Sequence, residues 1–221
     1  VRWYTDCYYI FGQTFPKILS YQCGLTGMQE RLKNGNLLIM WSIVGAMVDK
    51  VGLTGLVEVS QMGKVVHLWT ATKDLPPKFA PLVPPNSTSL DMFVINHEIE
   101  EMDNGHWIAV GFEIRTITYC PSFGGPKNVT GNEVVEFEPY TAKVVKRFST
   151  FEHLPVCNTY YPLDFLGNQW EWIHMNAIDL SNLHTRNELI LSSFFQGWVY
   201  AIRYADDADG AVRGPGRGGS G

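Results

Sequence analysis

Apolar and polar residues alternate along most of this chain, and the alternation predicts β-strands. Successive side chains of a strand point to opposite faces, so alternation over about four to eight residues is typical of a half-buried strand. No segment has a convincing helical period. The predicted strands are 26–32, 36–42, 55–60, 63–70, 94–102, 106–115, 132–138, 142–149, 171–179, 187–193 and 197–204.

The strands recur as a larger unit. Residues 95–110 read INHEIEEMDNGHWIAV and residues 27–39 read GMQERLKNGNLLI, so that Asn104-Gly105 aligns with Asn34-Gly35. A looser third copy, WIHMNAIDLSNLHTRNELILSS, covers residues 172–193. Each copy is a strand, a polar turn and a second apolar strand, so the chain repeats one supersecondary unit.

A second internal similarity indicates the length of the repeating unit. GLVEVSQMGKVVHLW at 55–69 resembles EVVEFEPYTAKVVKRF at 133–148, and each is a predicted hairpin. One unit is then about 70 to 80 residues of four antiparallel strands with long inserts, which is the content of a β-propeller blade. The inserts, 71–91 and 150–170, exceed ordinary hairpin turns, and we expect them to be surface loops.

The fold class predicted here is all-β, a β-propeller of four-stranded antiparallel blades with about three blades present. These blades occupy residues 1–204. Residues 205–221 lose the alternation and end in a Gly-rich run, so we expect a disordered tail there.

Composition and charge narrow the function classes. The chain is 45% hydrophobic and 13% aromatic, which suits packed sheets better than a helical bundle. Its formal charge of -5 includes no basic block, which argues against nucleic acid as a partner. The longest apolar run, residues 37–48, is shorter than the roughly 20 residues of a transmembrane helix, so no membrane span is predicted.

The cysteines leave two alternatives open. Cys7, Cys23, Cys120 and Cys157 have no Cys-x-x-Cys spacing and no histidine at zinc-finger distance, which argues against a structural zinc site. A disulfide between Cys7 and Cys23 would close a loop for which such a bond is worth about 3 kcal/mol. Four buried free thiols are the other alternative.

Two histidines in the repeated segments are the candidate functional residues. His97 is followed by Glu98, and Asn176 lies two residues after His174. Alternate residues of a strand share a face, so we expect His174 and Asn176 to point the same way and Met175 to point into the opposite layer. In a propeller, related strands surround the axis, so His97 and His174 are expected to converge.

Other interpretations of the histidines remain open. A histidine in a strand can be a structural residue with a satisfied hydrogen bond. Zinc binding by His97, His174 and a carboxylate is another alternative, although no His-x-His or His-x-x-x-His spacing supports it. We expect the remaining histidines to be solvated residues of outer strands and turns; they are His67, His106, His153 and His184.

The repeated segments together resemble the bacterial-type aryl-sulfate sulfotransferases. In order they are RWY, GMQERLKNGNLLI, VEVSQMGKVV, NHEIEEMDNGHWIAV, EVVEFEPYTAKVV, WEWIHMNAIDL and ELILSSFFQGWVYAI, across about residues 1–204. The most specific piece is WIHMNAID at 172–179 followed by Ser192-Ser193. It is similar to the family's His-x-Asn-Ser-x-Asp and Ser-Ser-Arg signature.

The resemblance implies a six-bladed propeller, of which this chain would be half. Such enzymes transfer a sulfuryl group from an aryl sulfate to a phenol through a sulfated histidine, with no cofactor and no metal. Carried over by motif, the resemblance implies catalytic roles for His97, His174 and Asn176, and substrate contacts for Ser193 and Phe194. It also implies small-molecule phenols and aryl sulfates as partners and a periplasmic or extracellular location, and it is compatible with a homodimer of the parent protein.

The chain departs from the family pattern in two ways. Phe194 stands where the family has arginine, and an apolar ring cannot hold a sulfate oxygen. The family's sulfated histidine belongs to the next blade, so no residue here inherits that role. We therefore expect a fragment that is inactive alone, since three blades cannot close a ring and would leave strand edges unpaired.

Two rival functions remain. Phe194 and the missing nucleophile favour a non-catalytic propeller module that binds a ligand or a protein on its loop face. A sulfatase-like metal hydrolase that uses the same histidines is the other rival.

Overall fold

The structure is a computed structural model that describes residues 23–43, 53–158, 169–204 and 212–213. Within these ranges the chain is all-β, as predicted. The strands are β1 (Cys23–Arg31), β2 (Leu37–Ile43), β3 (Leu53–Val59), β4 (Val65–Ala71), β5 (Thr88–Leu90), β6 (Val94–Glu101), β7 (Trp107–Ile117), β8 (Lys127–Phe137), β9 (Val144–Ser149), β10 (Gln169–Glu171), β11 (Met175–Asp179), β12 (Glu188–Ser193), β13 (Trp198–Arg203) and β14 (Val212–Arg213).

Helical structure in the described ranges is limited to short turns. One-turn α-helices cover Thr150–His153 and Leu183–Arg186. Segments of 3-10 helix cover Pro77–Leu82, Pro121–Phe123 and Val156–Asn158. No helix among the residues seen here is long and apolar enough to cross a membrane.

The strands form three sheets, each built on four consecutive antiparallel strands. The first sheet has the order β1-β2-β3-β4, the second β6-β7-β8-β9 and the third β11-β12-β13-β14. The first strand of the second sheet, β6, contacts both β1 and β11. The three meanders therefore lie side by side, with their first strands next to one another.

The two long inserts contain structure that the sequence did not predict. β5 lies in the first insert and pairs in parallel with β4, and β10 lies at the end of the second insert and pairs in parallel with β8. Phe79 and Leu82 of the first insert are each only 4% exposed. The inserts therefore extend the sheets and cover the core, and the prediction of simple surface loops is wrong there.

Large aromatic side chains fill the spaces between the sheets. The indoles of Trp41, Trp69, Trp107 and Trp172 are fully buried, so these tryptophans pack the core. Trp41 lies directly on β3, because a Cβ atom on Gly55 would come within 2.3 Å of its ring. Burial of each such ring removes a large apolar surface from water.

A buried carboxylate joins each of the first two sheets to the next. Glu58 on β3 is fully buried and accepts hydrogen bonds from Asn34 (2.9 Å) and Asn36 (2.6 Å) of its own sheet. It also accepts one from the hydroxyl of Tyr140 (3.0 Å), which follows β8 in the second sheet. Burial, followed by the contact with Glu58, raises the pKa of Tyr140 to about 12.

The same arrangement recurs between the second and third sheets. Glu136 on β8 accepts from Asn104 (3.3 Å), from His106 Nδ1 (2.6 Å) and from the hydroxyl of Tyr204. Burial alone would raise the pKa of Glu136, but these three hydrogen bonds outweigh it and lower the pKa. We call the two networks the Glu58 clasp and the Glu136 clasp. His106 is therefore a paired residue of a clasp, and its interpretation as a solvated residue is wrong.

A disulfide joins Cys120 and Cys157, so the alternative of four free thiols is wrong. The bond ties the turn after β7 to the second insert. Cys7 and the side chain of Cys23 lie outside the described residues, so a bond between them stays a prediction.

The fourth strand of the third sheet, β14, lies in the stretch that the sequence assigns to the Gly-rich tail. It pairs with β13 through Val212 and Arg213. The other tail residues, and the RWY segment near the start, lie outside the described residues.

Candidate functional site

The structure brings His97 and His174 into direct contact. Their Nε2 atoms are 2.8 Å apart, although the residues are separated by 77 positions in the sequence. The two rings meet edge to face, with centroids 4.7 Å apart. His97 comes from β6 of the second sheet and His174 directly precedes β11 of the third, so the contact lies where two sheets meet.

Both histidines have a left-handed backbone conformation. The φ angle is +55° at His97 and +49° at His174. A side chain with a Cβ atom rarely adopts this region, and doing so costs on the order of 1 kcal/mol. The surrounding structure must therefore hold both residues in place, a pattern that is enriched at functional sites.

Two hydrogen bonds between neighbouring sheets show that the two histidines do not occupy equivalent positions in the repeat. The N–H of Ile95 donates to Thr54 Oγ1 (2.9 Å), and the N–H of Met175 donates to Asn132 Oδ1 (2.9 Å). Ile95 of β6 and Met175 of β11 therefore occupy equivalent positions in the repeat. His97 lies two positions after the first and His174 one position before the second, so the two histidines are not equivalent in the repeat although the predicted convergence occurs.

Buried polar groups fix the backbone around His174. Ser193 is 4% exposed, and its Oγ donates to the carbonyl of Ile173 (2.6 Å). The N–H of Phe194 donates to the carbonyl of His174 (3.0 Å). Met175 is fully buried, as the sequence predicted. The segment is therefore anchored on both sides of the histidine.

Glu171, the last residue of β10, completes the cluster, and sequence reasoning missed it. Its side chain is 6% exposed, and Oε1 lies 2.5 Å from Nδ1 of His174. Glu171, His174 and His97 thus form one line of hydrogen-bonded groups. The signal available in the sequence was an acidic residue three positions before a candidate histidine, in WEWIH.

The surroundings favour a neutral His97. Burial lowers the pKa of His97, and the neighbouring His174 lowers it further, while the charge of Glu171 opposes both effects. A neutral imidazole has one nitrogen that donates and one that accepts. A neutral His97 therefore offers one hydrogen-bond donor and one acceptor to its neighbours.

Three phenylalanine rings lie close to the ring of His174. The centroid of the His174 ring is 5.1 Å from Phe195, 6.0 Å from Phe194 and 6.4 Å from Phe112. The rings of Phe194 and Phe195 contact each other at 5.4 Å, and Phe194 is 66% exposed. An exposed apolar ring beside polar groups suits a ligand that has an aromatic part.

Asn176 lies in a different arrangement from the one that alternation predicts. The pairing of β11 with β12 shifts register between Met175 and Ala177, so alternation does not extend from His174 to Asn176. The amide oxygen of Asn176 accepts from Ser192 Oγ (2.6 Å), and the residue is exposed. Its hydrogen bond within the described structure is to Ser192 and not to either histidine.

Several carboxylates lie on the first strands near the histidines. Glu98 Oε2 accepts from the N–H of Ile178 (2.6 Å), which links β6 to β11. Burial, followed by the neighbouring Glu98, Glu30 and Asp179, raises the pKa of Glu100 to about 7. Within the described residues, no group of three or more His, Cys, Asp or Glu side chains is arranged to hold a metal ion.

Comparison with known proteins points to one family. A family model described as Arylsulfotransferase (ASST) matches residues 1–209. No curated protein and no solved structure matched the chain.

Proposed function

Because the chain belongs to the arylsulfotransferase (ASST) family, we propose that it serves the transfer of a sulfuryl group from an aryl sulfate to a phenol through a sulfated histidine. The observation that carries this proposal is the contact between His97 and His174 beside the exposed ring of Phe194. Imidazole nitrogens suit sulfuryl oxygens, and the ring suits the aryl group.

The fold proposed for this function is a propeller. The three meanders would be successive blades, with β1, β6 and β11 nearest the axis. The mutual contacts of these strands support this arrangement, as do the two clasps that join one sheet to the next. The histidine pair would then lie in the channel at the centre of the ring.

His97, His174 and Asn176 are proposed to act on the sulfuryl group. Negative charge grows on the sulfuryl and leaving oxygens as the sulfur–oxygen bond breaks, and fixed donors stabilise that charge. One donor of this kind is worth about 2.7 to 4 kcal/mol. Asn176 can take part through its amide N–H groups, because its oxygen already accepts from Ser192.

Phe194 and Ser193 have different proposed roles in substrate binding. Phe194 contacts the aryl ring, in place of the arginine that other family members use for a sulfate oxygen. Ser193 is buried and bonded to Ile173, so its contribution is to hold the backbone that carries Phe194 and His174.

The histidine that carries the sulfuryl group is proposed to be none of the six in this sequence. The family places that residue in a further blade, and His97 and His174 are already engaged with each other. Residues 1–221 alone are thus expected to bind an aryl sulfate without turning it over. The Cys120–Cys157 disulfide supports the proposed periplasmic or extracellular location, because such bonds persist in oxidising compartments.

The test is sulfuryl transfer from 4-nitrophenyl sulfate to phenol by the protein that carries this sequence. His97→Ala and His174→Ala are each expected to lower kcat/KM by about 100-fold or more, which corresponds to the loss of one such donor. His184→Ala is the matched control, since His184 is 67% exposed and pairs with Asp103 outside the cluster. It is expected to leave kcat/KM within about twofold.

Two results would contradict the proposal. Full activity in His174→Ala would remove the histidine pair from the reaction. Turnover by residues 1–221 alone that is lost in His174→Ala would show that this chain contains its own nucleophile. Binding of 4-nitrophenyl sulfate without transfer in any form of the protein would instead support the non-catalytic binding module.

A further inference from the structure

We propose that the histidine pair binds a sulfuryl or sulfate oxygen between its two Nε2 atoms only when His174 takes up one proton at the same time. This inference rests on the proposed function, and it names the protonation state in which the site accepts its substrate. The ligand class is a tetrahedral oxyanion that stays charged near neutral pH.

The resting pair has no hydrogen free to donate to an oxygen between the rings. An ionised carboxylate only accepts, so the 2.5 Å contact with Glu171 Oε1 requires the hydrogen on Nδ1 of His174. Nε2 of His174 then carries a lone pair, and the 2.8 Å contact with His97 requires His97 Nε2 to donate. Each Nε2 atom is therefore engaged by the other, and an oxyanion can enter between the rings only if this hydrogen bond breaks.

One added proton converts this closed contact into two donors. A proton on Nε2 of His174 removes the lone pair that His97 occupies, so both Nε2 atoms then carry hydrogens and can donate to one anionic oxygen. Nδ1 of His174 keeps its hydrogen bond to Glu171, whose negative charge stabilises the protonated ring. Without the added proton, His174 would present a lone pair to the oxyanion and repel it. The bound state therefore contains one more proton than the free site.

The two rings differ in how firmly they are held. His174 contacts Glu171 through its side chain, and its carbonyl accepts from the N–H of Phe194. His97 is the more exposed of the two, and within the described residues its ring has the hydrogen bond to His174. Two nitrogens that donate to one oxygen lie roughly 4 to 5 Å apart, so the 2.8 Å contact must widen on binding. We expect the ring of His97 to move and the ring of His174 to stay in place.

Glu171 directs the added proton to His174. Burial and the neighbouring His174 lower the pKa of His97, while the charge of Glu171 opposes both effects. Glu171 contacts His174 directly, so its charge favours a proton there over one on His97. The charged residues next along the strands around the pair have other partners; they are Glu98 (N–H of Ile178), Asp179 (N–H of Ser181), Glu113 (Arg115) and Glu133 (Arg147).

The test is calorimetry of inorganic sulfate binding to the protein that carries this sequence, at pH 8 in two buffers of different ionisation enthalpy. Sulfate has no leaving group and keeps its charge between pH 7.5 and 9, so a proton taken up belongs to the protein. We expect uptake of about one proton per sulfate and an association constant that falls about tenfold per pH unit over this range. Uptake of no proton, an affinity that is independent of pH, or no binding of sulfate would overturn the inference.

Glu171→Gln is expected to remove the coupling to the proton. A glutamine amide can donate as well as accept, so it can donate to Nδ1 and allow neutral His174 to carry its hydrogen on Nε2. Sulfate binding to this variant then needs no added proton, and its affinity is expected to be the same from pH 7.5 to 9. A pH dependence equal to that of the wild type would contradict the role of Glu171.

Glu136→Gln is the matched control. Glu136 is also buried and also contacts Nδ1 of a histidine, His106, at 2.6 Å, but it belongs to a clasp between sheets. This variant is expected to take up the same number of protons per sulfate as the wild type. Loss of the uptake in Glu136→Gln would show that the proton does not belong to the histidine pair.

Nitrogen-15 NMR of the imidazoles locates the proton in the wild-type protein. Without sulfate at pH 8, His174 is expected to carry a hydrogen on Nδ1 alone. With saturating sulfate it is expected to carry hydrogens on both nitrogens, while His97 keeps a hydrogen on Nε2 alone. A second hydrogen on His97 in place of His174 would overturn the inference.

These measurements separate this inference from the proposed function. Proton-coupled sulfate binding in a protein that shows no sulfuryl transfer in any form would overturn the proposed function and leave the coupling in place. Sulfuryl transfer that is lost in His174→Ala, together with sulfate binding that takes up no proton in the wild type, would leave the proposed function in place and overturn this inference.

Discussion

The backbone conformation of the two site histidines depends on the residues around them. His97 and His174 both have left-handed backbones. A buried serine and a buried asparagine bond to the residues on either side of His174: Ser193 donates to the carbonyl of Ile173, and Asn132 accepts from the N–H of Met175. These contacts offset the conformational cost at His174. Preorganised polar groups need little rearrangement when charge develops, which is how such clusters accelerate reactions.

Phe194 offers a direct test of the aryl contact. Phe194→Ala removes an exposed ring 6.0 Å from the ring of His174. An aromatic pair contributes about 0.5 to 1.5 kcal/mol beyond its buried area, so affinity for 4-nitrophenyl sulfate is expected to fall about 3- to 10-fold by calorimetry. Affinity for inorganic sulfate, which has no ring, is expected to stay the same.

The control for this prediction is Tyr119→Ala. Tyr119 is a similarly exposed aromatic residue, at 63%, and it follows β7 away from the histidine pair. It is expected to leave both affinities unchanged. An equal loss for 4-nitrophenyl sulfate and inorganic sulfate in Phe194→Ala would indicate a damaged site instead of a lost ring contact.

The site residues also differ in how far the sequence reveals them. His97 and His174 can be found because each stands in a repeated phrase, although their positions in the repeat differ. The spacing of Glu171, three positions before His174, is only a weak signal, since its contact with His174 depends on β10, a three-residue strand with no alternation to detect. Asn132 is 43 positions from the N–H that it accepts, and only the packing of two sheets brings the groups together.

At the scale of elements, the regular strands were predictable and the short parallel ones were not. The strands from β6 to β9 alternate over long stretches, and the prediction placed each of them within a few residues. β5 and β10 are each three residues long and lie in Pro- or Gly-containing inserts, where pairing with a distant strand decides the structure. The clasps likewise depend on residues 82 and 68 positions apart.

The Glu58 clasp can be tested by removing one hydroxyl. Tyr140→Phe deletes the hydrogen bond to Glu58 Oε2 and leaves that oxygen of a fully buried carboxylate without this donor. A hydrogen bond to a charged group is worth about 1.5 to 3 kcal/mol, so the free energy of unfolding is expected to fall by about that amount in urea. Tyr204→Phe makes the equivalent change in the Glu136 clasp and is expected to have a similar effect.

Tyr119→Phe serves as the control for the clasps, because the Tyr119 side chain is largely exposed. Its free energy of unfolding is expected to stay within about 0.5 kcal/mol of the wild type. A loss in Tyr140→Phe no larger than in this control would show that the hydroxyl does not join the sheets. The two clasps share no residue, so the effects of the two variants are expected to add.

For the whole molecule, the contact of β1, β6 and β11 brings like charges together. Glu30, Glu98, Glu100 and Asp179 come from the first strands of three different sheets. Burial, followed by neighbouring carboxylates, raises the pKa of Glu30. Burial raises the pKa of Glu98, the hydrogen bond from Ile178 opposes this, and the charge of Asp179 raises the pKa further. Sequence alone gives no sign of this, since the residues are spread over three copies of the repeat. The arrangement that places the histidine pair between sheets therefore also creates a region of electrostatic repulsion.

Glu100 makes the combined effect of burial and this repulsion measurable through the pH dependence of stability. Its pKa is about 7 in the folded protein and 4.5 by reference, so the folded state binds the proton more tightly than the unfolded state. The resulting stability is fully present below about pH 4.5, is lost as the pH rises through 7, and stays absent above that. Glutamine does not ionise, so Glu100→Gln does not lose this stability as the pH rises. The variant is therefore expected to be more stable than the wild type at pH 8 and similar to it at pH 4.

The size of the gain at pH 8 is about 1 kcal/mol, because Glu100 is partly exposed and solvent screens its interactions. Urea unfolding of both proteins at pH 4, 6 and 8 measures it as a difference that grows with pH. Glu152→Gln is the control, since Glu152 is 60% exposed and pairs with Arg115 away from the first strands. A difference between Glu100→Gln and the wild type that is the same at all three pH values would show that the pKa of Glu100 is not raised in the folded protein.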